Sequence, residues 1–238
     1  IGFKNAFILA QAFQMNIKNP YMSDFGGTKE LFDLYDYSPV INIVGDCLYQ
    51  LDNVHVSVDV IHYIQATYRG IMDMVQKPLS NKVMSFEVGI LEKAFTNTLY
   101  LVLSRDIYTH TLALLNLYNH HFSTLYYFKI YAAKNLDFTK EPLAYAAATL
   151  KNALAHRDKV LQNVPESRKI YVSYEDFCRN PKALFETMLK RLTALGYTPP
   201  NATYKGVDSF TISPRNPSEE ERAIIDSVFA NDSYNVAV

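Results

Sequence analysis

The sequence predicts an α/β fold in which a central parallel sheet is flanked by helices. Three observations predict it. Short apolar or β-branched runs recur at 40–44, 99–104 and 169–172. Segments with helical spacing separate them, and the run at 99–104 is continuously apolar, as expected of a parallel strand covered on both faces. Strands alternating with helices imply right-handed crossovers, and ligands in such sheets sit beyond the carboxyl ends of the strands. The loops after residues 46, 104 and 173, and the opening loop, are therefore where chemistry is sought.

The opening, Ile1 to Phe13, begins with a glycine at position 2 and continues as an apolar, helix-compatible run with no strand before it. One domain spanning 1–238 is expected, lacking a first strand upstream of residue 1. Asn19-Pro20 and Gly26-Gly27 punctuate an irregular stretch, and Pro39 to Asp46 reads as a strand closed by Gly45. Val60, Ile64, Tyr68 and Met72 are spaced four apart, which predicts a helix over 56–76. A further helix is expected over 82–95. Residues 108–133 read as a long buried helix broken around His120-His121, and 141–163 as another helix ending before Pro165. Lys169 to Val172 forms the centre of a short strand. Pro181 then opens an amphipathic helix, where its missing N–H costs nothing, and Gly196 closes it. A last helix begins near Ser218, with Glu219, Glu220 and Glu221 at its positive end.

Composition narrows the function. A net charge of −1 argues against broad attraction to nucleic acid, so an anionic ligand must be held by a few placed cations and amides. Cys47 and Cys178 have no metal-ligand spacing and read as free thiols, although a disulfide between them stays open. No stretch approaches the ~20 apolar residues of a membrane helix. No signal-like segment is visible, so a cytoplasmic location is expected if the natural chain carries no targeting segment.

Four segments, in order, resemble the sulfotransferase family. The first is Leu99-Tyr100-Leu101-Val102-Leu103-Ser104-Arg105-Asp106, a strand ending in an Arg-Asp pair. The second is Tyr171-Val172-Ser173-Tyr174-Glu175-Asp176-Phe177-Cys178-Arg179-Asn180-Pro181, similar to that family's Tyr-Glu-Asp-Leu…Asn-Pro signature. The third, Lys77-Pro78-Leu79-Ser80-Asn81-Lys82-Val83, resembles the family's Lys-Thr-Pro…Asn-Arg-Ile segment with one residue missing and Gln76 in place of a Glu. The fourth is the opening, where Lys4-Asn5-Ala6-Phe7 aligns with a degenerate phosphosulfate-binding loop. A shifted alignment makes Gly2-Phe3-Lys4 the loop itself.

The resemblance implies a P-loop nucleoside-triphosphate-hydrolase-like architecture and sulfuryl transfer from 3′-phosphoadenosine 5′-phosphosulfate (PAPS), a co-substrate, with no metal. It implies that Lys4, with the amides of Asn5, Ala6 and Phe7, holds the 5′-phosphosulfate, and that Lys77 is a second cation. Arg105 would grip the 3′-phosphate through its planar fork. The alternative is an Arg105 paired with a carboxylate such as Asp106. The family's phosphate-binding Ser falls on Ala113, eight residues after Arg105; one lost hydroxyl–phosphate bond costs about 1.5–3 kcal/mol.

Asp46 is the candidate base, or else a helix cap. The pair His120-His121 offers another base or a half-buried structural pair. The acceptor would be a hydroxyl of a glycan, lipid or small molecule. Against this stands a catalytically silent binding protein on the same fold. A nucleotide kinase is disfavoured because no Gly-x-x-x-x-Gly-Lys-Ser/Thr occurs.

Overall fold

The computed structural model describes residues 56–75, 85–120, 131–133, 135–197, 202–212, 216–231 and 233. The expected opening helix and the strand at 39–46 lie outside them. Two compact units make up the chain, residues 1–96 and 97–238.

In the first unit, α1 (Val58–Val75) follows the sequence closely, and α2 (Val88–Ala94) is shorter than expected. Ile64 and Tyr68, one turn apart, are buried with Ile90, Leu91 and Ala94, and Val60 packs against that cluster from its edge. Phe95 meets the Tyr68 ring edge-on at 5.3 Å. The Gln65 amide donates to the Ala94 carbonyl at 2.7 Å, satisfying an acceptor that the end of α2 would otherwise leave open. A 3₁₀ turn, Ser85–Glu87, precedes α2, so the helix expected over 82–95 begins later than its sequence suggested.

The second unit holds β1 (Tyr100–Ser104), α3 (Ile107–His120), α4 (Pro142–Leu161), β2 (Lys169–Ser173), α5 (Tyr174–Arg179), α6 (Pro181–Ala194) and α7 (Glu219–Ala230). Its two strands pair in parallel, from Tyr100 opposite Lys169 to Ser104 opposite Ser173. The molecule is thus a helix-rich α/β chain with a small two-stranded parallel sheet flanked by helices.

Coverage of the sheet departs from expectation. Leu101 and Leu103 are exposed on the face where Ile170 and Val172 are buried, while Tyr171 is exposed opposite, where Tyr100 and Val102 are buried. On the second face, buried Lys169 lies opposite Tyr100, so cover there reaches β2 at its start and is lost at Tyr171. A continuous apolar run cannot reveal this, because side-chain identity does not report which strand a helix lies across.

Helix α4 is the centre of the unit. Tyr145, Ala146 and Leu150 pack with Leu114 and Tyr118 of α3, and Ala147 and Ala148 pack with Ile225 and Val228 of α7. A helix flanked on two sides needs small side chains where its neighbours come close, which the consecutive alanines supply. Residues 131–133 are not α-helical, which corrects the long helix expected over 108–133. The Tyr131 carbonyl accepts the Asn152 side-chain amide at 2.8 Å, and its ring lies 5.7 Å from that of His156. These tertiary contacts hold the segment against α4.

Helix ends obey their local signals. Asn180 accepts the Ala183 amide, and Pro181 occupies the first turn of α6. Gly196 closes that helix at φ +88°, with Tyr197 N–H donating to the Leu192 carbonyl and Gly196 N–H to that of Thr193. Ser218 and Glu221 form a reciprocal capping box on α7. The Lys151 ammonium donates to the Asn231 carbonyl at 2.9 Å, at the negative end of α7. Buried Lys169 donates to the Leu161 carbonyl at 3.1 Å and pairs with Glu166, joining the end of α4 to the start of β2.

Candidate functional site

The register puts the carboxyl ends of β1 and β2 side by side, so the residues that follow them meet. After Ser104 comes Arg105; after Ser173 comes Tyr174. The Arg105 guanidinium carbon stands 4.3 Å over the Tyr174 ring, a cation–π contact. Its Nε is buried and has no hydrogen-bond partner among the described residues.

Asp106 is not the partner of Arg105. Its carboxylate accepts from the Thr109 amide at 2.9 Å and from the Thr109 hydroxyl at 2.8 Å, capping the first turn of α3. Likewise Ser173 accepts the Asp176 amide at 3.2 Å to cap α5. Ser104 donates to the Val172 carbonyl at 3.3 Å, tying the two strand ends together.

Arg157 and His110 come from the elements on either side. Arg157, near the end of α4, donates from Nη1 to the Leu103 carbonyl at 3.0 Å and from Nε to Asp158 at 2.8 Å. His110 lies in the first turn of α3, its amide bonded to the Asp106 carbonyl at 2.9 Å. Burial, then the charges of Arg105 and Arg157, push the His110 imidazole below the ordinary histidine range. The Tyr174 hydroxyl is pushed up by burial and by its hydrogen bond with Cys178, while Arg105 pulls it back. Cys178 is a buried free thiol.

Of the residues anticipated from sequence, Arg105 takes this position and Ala113 lies half-buried on α3, offering no hydrogen-bonding side chain. Lys4, Asn5, Ala6, Phe7, Asp46 and Lys77 lie outside the described residues, as do Gln76, Cys47 and His121. His120 is the last residue of α3. Sequence reasoning missed His110 and Arg157, and it did not foresee Tyr174 as the platform for Arg105. His110 carried a usable signal: it is one turn beyond a cation at a strand end. Arg157 carried none, because only the docking of α4 brings it near.

No family model matches the chain, and no curated protein or solved structure matches it either. No helix among the described residues is long and apolar enough to cross a membrane.

Proposed function

We propose that this chain has a sulfotransferase-type P-loop architecture and transfers a sulfuryl group from PAPS to a hydroxyl of a glycan, lipid or small molecule. The observation that carries the proposal is the adjacency of β1 and β2. The two segments with the most specific resemblance are parallel neighbours, ending in register and followed by Arg105 stacked on Tyr174.

The residues fit a phosphate. Arg105 has a buried N–H without a partner among the described residues, and its guanidinium lies over an aromatic ring. Asp106 already occupies the Thr109 amide, so an anion here is gripped chiefly by side chains. Bound PAPS would supply the activated sulfuryl group; Arg105 would hold the 3′-phosphate. Lys4, Lys77 and Asp46 keep their proposed roles as phosphosulfate clamp, second cation and base. Ala113, with Ala6 and Gln76, favours a second reading, a catalytically silent relative that keeps the fold and serves as a binding or interaction module, since the side chains expected there are missing.

Calorimetric titration with 3′-phosphoadenosine 5′-phosphate (PAP) tests the proposal. Arg105→Ala removes one or two charge-assisted hydrogen bonds of about 1.5–3 kcal/mol each, so affinity should fall between about tenfold and about twenty-thousandfold. Tyr174→Leu, which removes only the platform, should weaken binding less. Failure of the folded wild-type chain to bind PAP would sink the transferase reading and leave the silent interaction module.

A further inference from the structure

Helix α5 carries Tyr174 and has only six residues, Tyr174–Arg179. A helix that short does not hold its own place, so its setting comes from what packs on it. One such element has no regular secondary structure. Residues 202–212 follow α6 in sequence, and Phe210 fastens them to α5 twice. Its N–H donates to the Cys178 carbonyl at 2.7 Å, and its ring stacks on Phe177 at 5.3 Å with the planes 26° apart. Upstream, Tyr204 meets Phe185 of α6 at 5.5 Å, and its hydroxyl donates to the Val207 carbonyl. Gly206 allows that turn, because a Cβ there would run into the Tyr204 ring. The segment is a strap, anchored on α6 at one end and on α5 at the other.

The charges of α5 are committed elsewhere: Glu175 accepts from the Ser173 hydroxyl at 3.3 Å, and Asp176 pairs with Arg179 at 2.9 Å. Asp106, beside Arg105, accepts from Thr109. What α5 gives Arg105 is the Tyr174 ring, 4.3 Å from the guanidinium carbon. We infer that Phe210 is a positioning residue: through α5 it sets the Tyr174 ring against Arg105, and so sets how firmly Arg105 grips an anion. The inference deepens the nucleotide-site reading and rests on it for the anion's identity. A cation–π contact holds only while the cation stays within about 6 Å of the ring centre. A tilt of α5 therefore loosens it and returns to the Arg105 side chain a rotamer freedom that binding must then remove.

Phe210→Leu keeps apolar bulk and the backbone bond but removes the stacked ring. In the full chain, PAP affinity should fall about two- to tenfold, the span of one aromatic pair, and no further than in Tyr174→Leu. In the Tyr174→Leu background the same change should cost nothing more, since no ring is left to position. Phe210→Tyr, which keeps a ring, should restore most of the affinity. A second readout needs no ligand. The Arg105 Nε–H resonance, assigned by its loss in Arg105→Lys, feels the ring current of Tyr174 and should move in Phe210→Leu toward its position in Tyr174→Leu. If Phe210→Leu fails to fold, Phe177→Leu removes the other ring of the stack and is read in the same two ways.

An unmoved resonance overturns the inference, and so does a PAP affinity in Phe210→Leu equal to that of the wild type. A loss that persists undiminished in the Tyr174→Leu background overturns it too, because Phe210 then acts on the fold at large. If the wild-type chain binds no PAP, the transferase reading falls alone, and the resonance decides the inference.

Discussion

Ile225→Ala should be among the most damaging single changes in the second unit. Ile225 is fully buried on α7, in a cluster with Ala133, Ala147, Ala148 and Val228. Truncation leaves a cavity, and its cost depends on how far the neighbours can move into it. Here they can move little. Each alanine presents one methyl on a fixed backbone, and the valine is stiff about χ1. Larger side chains, among them Ile107, Leu136, Leu143 and Phe229, stand only at the rim of the cluster, where they can lean inward in part. The loss should therefore fall at about 3–4 kcal/mol, in the upper part of the usual range. With a urea slope of about 2 kcal/mol/M, the midpoint drops by about 1.5–2 M. Equilibrium urea unfolding of the full chain, followed by far-ultraviolet circular dichroism, measures it. Ile225→Val serves as the graded control, at about 1 kcal/mol. An alanine variant no weaker than the valine variant would refute the packing of α7 on α4.

Three other outcomes follow from the same structure. Asn152→Leu leaves the buried Tyr131 carbonyl without that donor and should cost about 1–3 kcal/mol in the same urea assay. Gly196→Ala places a side chain at φ +88° and should cost about 1 kcal/mol; no atom crowds the site, so the strain is purely conformational. His110 makes stability depend on pH: its native pKa lies below its unfolded value near 6.5, so the unfolded chain binds more protons between the two. Stability contributed by neutral His110 is complete above pH 6.5 and is lost as pH falls from there through the native pKa. In urea midpoints measured against pH, His110→Gln should remove that slope.

What was legible in the sequence was local. Asn180-Pro181, Gly196 and the Ser218/Glu221 pair each mark a helix end by a bond made within a few residues, and all three ends fall where those signals put them. Strands β1 and β2 were legible because apolar density suffices to mark a buried strand. The rest depended on residues distant in sequence. Residues 131–133 meet Asn152 and His156 in place of continuing a helical pattern, and nothing in the segment itself announces it. At the site, Arg105 was visible as a cation ending a strand. Its partner was not, because Asp106, the nearer candidate, was already committed to Thr109.

The parallel pairing has a consequence for how the chain reaches its native state. Ser104 bonds to Val172 across a separation of 68 residues. Helices α3 and α4 lie between these positions and pack on one another. Closing so long a loop is entropically unfavourable until intervening structure shortens it. The α3–α4 contact should thus form early and the strand pair late, so that Tyr174 reaches Arg105 in one of the last steps of folding. Substitutions at Leu114 or Tyr145 should slow folding, whereas those at Val102 or Val172 should chiefly speed unfolding. Emerging from the ribosome, the chain has synthesised Arg105 well before Tyr174, so the stacked guanidinium marks a completed fold and is absent from any earlier intermediate.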